Sequence, residues 1–468
     1  MDSGRPAPNP LVWAWKAAGS LRVTVALLAM SIFLVFAGTL AQVDKGIWTV
    51  MEQYFRCWIA HIEPRIFERS WDIQGSIPFP GGWLLGTALL VNLLVSHASR
   101  IHLVARGTKL ALGGGILLVG GALTWMVIVH AFDADSPEHK ISPALRITYQ
   151  LLQGGGAAAV LFMGCKVLFG RKAGIVLLHS GIVLMMFSEL VTAKTAHEAS
   201  MTVYEGQSVN YVEDSRSTEL AVIDPSAPDR DDVVAVPEEL FRGGSKVSSP
   251  ELPFDIDPSP APFIKNSNLR EARPGERNPA TAGSGLHWVA EKAAESAGAS
   301  TSGTVDESAA YLTFRDKSGG APLGTFLVSV RFAFSRVPQQ VAVKGKVYDV
   351  YLRFKRTYKP YDIYLYKFRF ERYPGTNTPK DYSSFVRVTD RERGSSRDVR
   401  IWMNNPLRYR GDTLYQASFD SQTETGTVLQ VVSNSGWMVP YVGCMIVAVG
   451  LLGQFLLHLV AFLNKKAV

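Results

Sequence analysis

Four of the chain's nine histidines, His97, His130, His179 and His458, fall in or at the ends of long apolar runs. An ionisable side chain in such a run is costly and marks a candidate site. His97 closes one run, His458 lies near the end of the last, and His179 sits about six residues into another, roughly 9 Å from its start at 1.5 Å per residue. Alternating topology puts these three ends on one side, so three helices bring an imidazole to similar depth. Arg100, Arg171 and Lys172 lie just beyond, and His130 falls at the opposite face. A ring nitrogen is a good axial ligand for haem iron, and nearby arginines suit propionates. Metal binding or a proton relay would use the same layer. The competing reading is that His97 and His458 snorkel to the interface while His179 bonds a neighbouring helix. Gly174, Ser180 and Gly181 allow close approach around His179, which favours a site there. Glu189, further along the same run, is expected at the outer interface.

The elements that must position this layer are membrane spans. A crossing needs roughly 20 predominantly apolar residues, and the windows 23–41, 82–98, 109–131, 147–165, 173–193 and 438–461 qualify. Lys and Arg cluster at alternate ends: Lys16 and Arg22, Arg100, Arg106 and Lys109, Lys166, Arg171 and Lys172, then Lys465 and Lys466. By the positive-inside rule both termini are expected in the cytoplasm, with 194–436 outside, as in a multi-pass protein of the cell inner membrane. The first run is long for a signal peptide and is expected to stay as a span. The fold class expected is therefore a polytopic α-helical membrane protein of about six spans with a large outward-facing all-β domain, sandwich- or barrel-like. Five spans fall in 1–193, and the last opens the C-terminal piece 437–468.

From about 308 to 433 short runs rich in β-branched and aromatic residues alternate with Gly, Pro, Asp and Asn. Strands are expected at Thr325–Phe334, Lys346–Lys355, Ile363–Phe370, Ser383–Thr389, Val399–Met403, Thr413–Phe419 and Thr427–Val432. The segment 224–306, rich in Pro, Ser, Gly, Ala and Asp, is expected to be mostly a flexible insert with a short helix near His287–Ser296.

Other chemistries find little support. Of the three cysteines, Cys165 and Cys444 sit in spans and Cys57 is alone in the first outer loop, which leaves the β domain without a disulfide framework. No cysteine spacing suits a zinc site. Gly113-Gly114-Gly115 and Gly154-Gly155-Gly156 lie inside apolar runs and read as helix-packing surfaces, not phosphate loops. The net charge of +7 forms no localised basic patch with interleaved aromatics, so no nucleic-acid partner is expected, and the contact is with membrane lipid.

Four stretches resemble the ResB (CcsB) family of System II cytochrome c synthesis. They are Gly19-Ser20-Leu21-Arg22 through Gly38-Thr39-Leu40-Ala41-Gln42, the run Gly174 to Gly181 followed by Tyr204-Glu205-Gly206-Gln207, Tyr373-Pro374-Gly375-Thr376 through Tyr382-Ser383-Ser384, and Met403-Asn404-Asn405-Pro406-Leu407 followed by Tyr409, Gly411, Tyr415 and Gln416. The resemblance implies transient, non-covalent handling of haem b across the membrane. It also implies a CcsA (ResC)-type membrane partner and attachment of haem to the CxxCH thiols of apocytochrome c. Carried over, His179 is the first candidate for the iron's axial ligand and His97 the second. His458 joins the layer, and Arg100, Arg171 and Lys172 are candidate propionate partners. The family's pattern of three spans before the β domain is exceeded by two, so 109–165 looks like an added hairpin. The partner's W-G-x-x-W-x-x-D segment is absent, and no catalytic residue is assigned to this chain alone. The alternatives are a cofactor-free envelope scaffold and, more weakly, a proton- or metal-coupled transporter, against which the lack of an inverted repeat counts. The Asn405-Pro406 and Arg410-Gly411-Asp412 turns are expected to maintain the fold.

Overall fold

The computed structural model describes residues 10–68, 70, 73, 75–130, 143–258, 262–295, 305–376, 379–420 and 424–466. Its helices are α1 (Pro10–Ala18), α2 (Leu21–Lys45), α3 (Ile47–Val50), α4 (Gly82–Arg100), α5 (Thr108–His130), α6 (Pro143–Phe169), α7 (Ala173–Thr195), α8 (Glu238–Arg242), α9 (Val330–Phe334) and α10 (Val439–Lys466). Five apolar helical units are long enough to cross a membrane, and the chain is membrane-embedded. One of them, Ile147–Thr195, runs to 49 residues. A 3-10 turn at Gly170–Lys172 divides it into α6 and α7, and Gly170 sits at φ 58°, where a side chain would be strained. The helices outrun the apolar windows because polar residues continue them past the hydrocarbon. Ser20 caps the start of α2 by accepting from the Val23 N–H, and Gly46 at φ 71° ends it.

Glycines fix how the helices meet. A Cβ on Gly174 would lie 2.5 Å from the Gly450 carbonyl oxygen, and one on Gly181 would lie 2.9 Å from that of Gly443. Each pair is seven residues apart on its own helix, so one seam joins α7 to α10 at backbone contact. Gly113 and Gly120 of α5 receive Leu168 and Leu161 of α6 in the same way, while Gly154 faces Met445 of α10. The glycine runs thus serve helix packing, as expected, and the 109–165 pair is packed on α10.

Among the described residues there are seventeen strands; β1 (Ile59–Ile62) and β2 (Ile77–Pro80) form a separate hairpin that precedes α4, and the rest make up the β domain. The others are β3 (His197–Tyr204), β4 (Ser208–Asp224), β5 (Asp232–Pro237), β6 (Asp255–Pro258), β7 (Ser267–Glu271), β8 (Trp288–Lys292), β9 (Ala309–Arg315), β10 (Pro322–Ser329), β11 (Gln339–Val343), β12 (Lys346–Arg372), β13 (Pro379–Asp390), β14 (Ser395–Trp402), β15 (Leu407–Tyr409), β16 (Asp412–Phe419) and β17 (Gly426–Ser433). A main sheet runs β14-β13-β12-β4-β3-β17-β16-β15, with β11 on β12 and β5 on β4. The sheet β10-β9-β6 covers one end, and Phe254, Ile256, Leu312, Phe314, Val328, Leu352 and their neighbours fill the space between as a sandwich core. The other end of the main sheet curls around a second core of Met201, Ile363, Leu365, Val386, Ile401, Leu414 and Leu429. Each fully buried aliphatic or Phe side chain contributes about 1.5–3 kcal/mol.

Strand β12 serves both cores. Val350, Leu352 and Phe354 point into the first, Tyr361, Ile363 and Leu365 into the second, and the facing parity switches between them. The switch falls where pairing with β4 jumps from Tyr358 to Ile363, around Pro360, which has no N–H to give a ladder. The runs Lys346–Lys355 and Ile363–Phe370 are therefore one strand. The run expected at Thr325–Phe334 ends early, because Ser329 accepts from the Arg331 N–H and starts the turn α9.

Residues 224–306 depart most from expectation. In place of a loose insert, the described part carries β5, α8, β6, β7 and β8. Leu252, Phe254 and Ile256, from its one apolar patch, are fully buried in the sandwich core. The stretch expected to be helical near His287–Ser296 contains the strand β8, whose Trp288–Lys292 pair antiparallel with Ser267–Glu271. Polar composition hid these strands because they are short, and all four lie at sheet edges or in a two-stranded ribbon.

Candidate functional site

His97 lies in the last turn of α4, which ends at Arg100 as Ile101 turns extended and its N–H reaches back to the His97 carbonyl at 2.9 Å. The start of α2 is tied to α4 by Asn92, buried in mid-helix. Its side-chain amide donates to the carbonyls of Ala18 (2.6 Å) and Ser20 (3.2 Å) and its oxygen accepts from Thr24 Oγ1 (2.6 Å). His179 lies on α7, two turns in from the Gly170–Lys172 break.

The structure brings these two imidazoles together: their ring centres are 4.5 Å apart at an interplanar angle of 65°. Both are fixed alike. His97 Nδ1 is 2.9 Å from the Leu93 carbonyl and His179 Nδ1 is 2.8 Å from that of Ile175, each one turn back on its own helix. A carbonyl only accepts, so the Nδ1 atoms carry the protons and the Nε2 atoms keep the lone pairs. This is the tautomer that a metal-binding imidazole with an anchored back side adopts. His97 Nε2 is buried and has no hydrogen-bond partner among the described residues.

The remaining candidates surround this pair unevenly. Lys172 Nζ donates to the Arg100 carbonyl at 2.7 Å, clasping the ends of α4 and α7. Arg100 Nη2 reaches the Gly19 carbonyl at 3.4 Å, at the junction of α1 and α2. His458 stands apart from the two rings. Its Nε2 lies 2.9 Å from Nε2 of Gln454, which also donates to the Arg171 carbonyl at 3.1 Å. Gln454 and Asn92 are the functional neighbours that histidine counting missed. Gln454 could have been found as the residue one turn before His458, and Asn92 as an amide inside a span. The side chain of His130 lies outside the described residues.

The geometry limits what the pair can do. A metal–imidazole bond is about 2 Å, so two nitrogens on opposite sides of one iron stand about 4 Å apart and their ring centres roughly 6 Å apart. At 4.5 Å the rings are too close for that arrangement. As they stand, one imidazole can offer a lone pair while the other buttresses it.

In the β domain the polar residues of the Asn405–Gln416 stretch are largely built into the interior. Asn404 (φ 60°) and Gly411 (φ 80°) make the turns flanking β15. Tyr409 donates to buried Asp390 at 2.7 Å, and Tyr361 donates to Asp412 at 2.7 Å beside Lys359. Burial first, then the Asp412 charge, pushes the Tyr361 hydroxyl far above its usual range and keeps it a donor. Gln416 accepts from Ser384 and donates to Thr427. These contacts make the stretch an organiser of the second core. Cys57, whose thiol is raised by burial, has little thiolate character.

A helical membrane region carrying a two-histidine layer, joined to a large all-β domain, is the class that fold and site define. Within that class the β domain carries a likeness: residues 334–428, from the end of α9 into β17, match the ResB-like family. Over 97 residues it is 35% identical to Protein NrfI of Wolinella succinogenes, a match covering 21% of this chain and 11% of that relative. The likeness thus spans about a tenth of the relative's length.

Proposed function

We propose that this protein is the ResB-like subunit of a System II cytochrome c synthase. In this reading it holds haem b at the His97–His179 layer and hands it to a CcsA (ResC)-type partner for attachment to apocytochrome c. The observation that carries the reading is the buried, unpartnered Nε2 of His97, beside a second imidazole with the same anchored tautomer. The family match supports the pathway and the helices support the setting: an inner membrane, termini in the cytoplasm, β domain on the outer side.

The chemistry served is addition of the two CxxCH thiols across the haem vinyl groups. This chain's residues bind and orient. One imidazole of the pair, His97 or His179, would hold the iron by its Nε2, with the other ring packed beside it. Lys172 and Arg100, which clasp the helix ends, and Arg171 would hold the propionates. The β domain positions partner and apocytochrome, so the contribution is proximity.

The test is a visible spectrum of the detergent-purified chain, alone and with a CcsA-type partner. A Soret band with low-spin α and β bands, lost or shifted in His97→Ala and His179→Ala but retained in His458→Ala, is expected. The interior packing of the Asn405–Gln416 stretch favours a second reading, a cofactor-free scaffold. That reading wins if no preparation carries haem and both variants fold normally.

A further inference from the structure

Where α2 leaves its apolar run, the chain encloses a cavity of about 220 Å³. Lys45, Trp48 and Arg56 come from the end of α2 and the turns after it, Arg216 from β4, and Lys265 and Glu295 from the segment 224–306. Most of the charge here is already matched. Lys45 pairs with Glu63 at 2.8 Å, Lys265 with Glu295 at 2.9 Å, and Arg216 with Asp214 at 3.4 Å while lying 4.5 Å from the Trp48 ring centre.

Arg56 is the exception. Among the described residues no hydrogen bond or ion pair reaches its side chain, and its Nε is fully buried. Arg56 is half-buried, and its buried Nε–H without an acceptor is destabilising unless something supplies one. Glu52 stands four residues earlier but does not pair with it. Met51–Phe55 is a π turn, in which residues five apart are stacked, and Glu52 is exposed.

We propose that this cavity binds the phosphate of an anionic phospholipid headgroup, with Arg56 as its principal donor. Guanidinium geometry matches two phosphate oxygens at once. The cavity opens at the end of a span, the level at which headgroups lie, and half-exposed Trp48 sits beside it as interfacial tryptophans do. Glu52 and Asp306 also line it, so one phosphodiester charge suits it better than a polyanion. The segment 224–306 thereby gains a role, because Lys265 and Glu295 close the cavity against the span end through Thr49. This site is separate from the histidine layer.

The experiment is native mass spectrometry of the full chain released from nanodiscs of phosphatidylglycerol or phosphatidylcholine. Wild type is compared with Arg56→Gln and with Lys355→Gln, which removes an exposed charge on the β domain away from the cavity. Wild type and Lys355→Gln should retain phosphatidylglycerol in preference to phosphatidylcholine. Arg56→Gln should bind it about tenfold more weakly, as loss of a charge-assisted hydrogen bond implies. Equal retention by Arg56→Gln and wild type overturns the proposal, as does an equal loss in Lys355→Gln, which would mean generic surface attraction. Millimolar inorganic phosphate should leave the retained lipid in place. If it displaces the lipid completely, the occupant is a soluble anion and the lipid assignment fails.

Discussion

Phe254→Ala tests whether the segment 224–306 is part of the β domain's core or an appendage to it. Phe254 is 0% exposed and its ring centre lies 4.6 Å from that of Phe314 and 6.5 Å from that of Tyr348. Those neighbours belong to β9 and β12, on opposite sides of the sandwich. Truncating a buried Phe costs about 3–5 kcal/mol through lost transfer energy and the cavity left behind. At about 1.4 kcal/mol per tenfold, the population of the opened sandwich should rise between about one hundred- and three thousand-fold. Hydrogen exchange of the full chain in detergent reads that population directly. Peptides covering β6, β9 and β10 should lose protection together, while those of β16 and β17, around the second core, change little. The reasoning is refuted if β6 exchanges freely in the wild type, or if the substitution leaves β9 and β10 as protected as before.

Two further outcomes follow from single contacts. Gly450→Val puts a Cβ 2.6 Å from the Leu178 backbone nitrogen and 3.0 Å from the Gly174 carbonyl oxygen, so the α7–α10 seam must open at about 1–3 kcal/mol. The thermal midpoint in detergent should fall, while Gly114→Val, with nothing within 4 Å, should leave it unchanged. At Glu276, hydrogen bonding to Arg270 holds the carboxyl at about 2, down from the usual 4.5. A depressed carboxyl contributes stability above its unfolded value and loses it as pH falls through the folded one. Glu276→Gln should therefore weaken the β7–β8 ribbon above pH 5, where the carboxylate is fully charged, and flatten its stability profile between pH 4.5 and 2, so that variant and wild type converge below about pH 2, read by proteolysis at the ribbon.

The helices were legible because hydropathy over some 20 residues survives any packing detail, and helix rise places His97 and His179 at comparable distances from their helix ends. What the sequence does not carry is azimuth. Nothing in the spacing of His97 and His179 says that their rings meet, since that depends on the angle at which α4 lies against α7. Strand runs between Lys346 and Val432 were legible from period-two alternation. Their pairing was not, and Lys359-Pro360 reads locally as a break although the strand continues through it. Gly, Pro and Ser between residues 224 and 306 outweigh Phe254 and Ile256 in any composition window, so two of the best-buried side chains in the domain lie where disorder was expected. Arg56 was invisible for another reason: an arginine's lack of partners can be read only once the partners of Lys45, Lys265 and Arg216 are known.

The histidine pair sits at a junction built to hold two helix groups loosely. Helix α2 packs on α4, while α7 packs on α10 and α6, and α4 meets α7 only along a thin contact. Polar hooks secure that contact at its two ends: Lys172 on the Arg100 carbonyl at one, the Lys194 ammonium 5.3 Å from the Trp83 ring centre at the other. On the proposed haem-handling reading, a flat macrocycle reaching His97 Nε2 would have to part rings now 4.5 Å from each other. Opening a thin contact costs far less than breaking the glycine seam between α7 and α10, where backbones touch. The division of the bundle therefore assigns the movement to α4 with α2 and leaves α7 as the fixed wall. Of the two imidazoles, His97 rides on the moving helix and His179 on the anchored one.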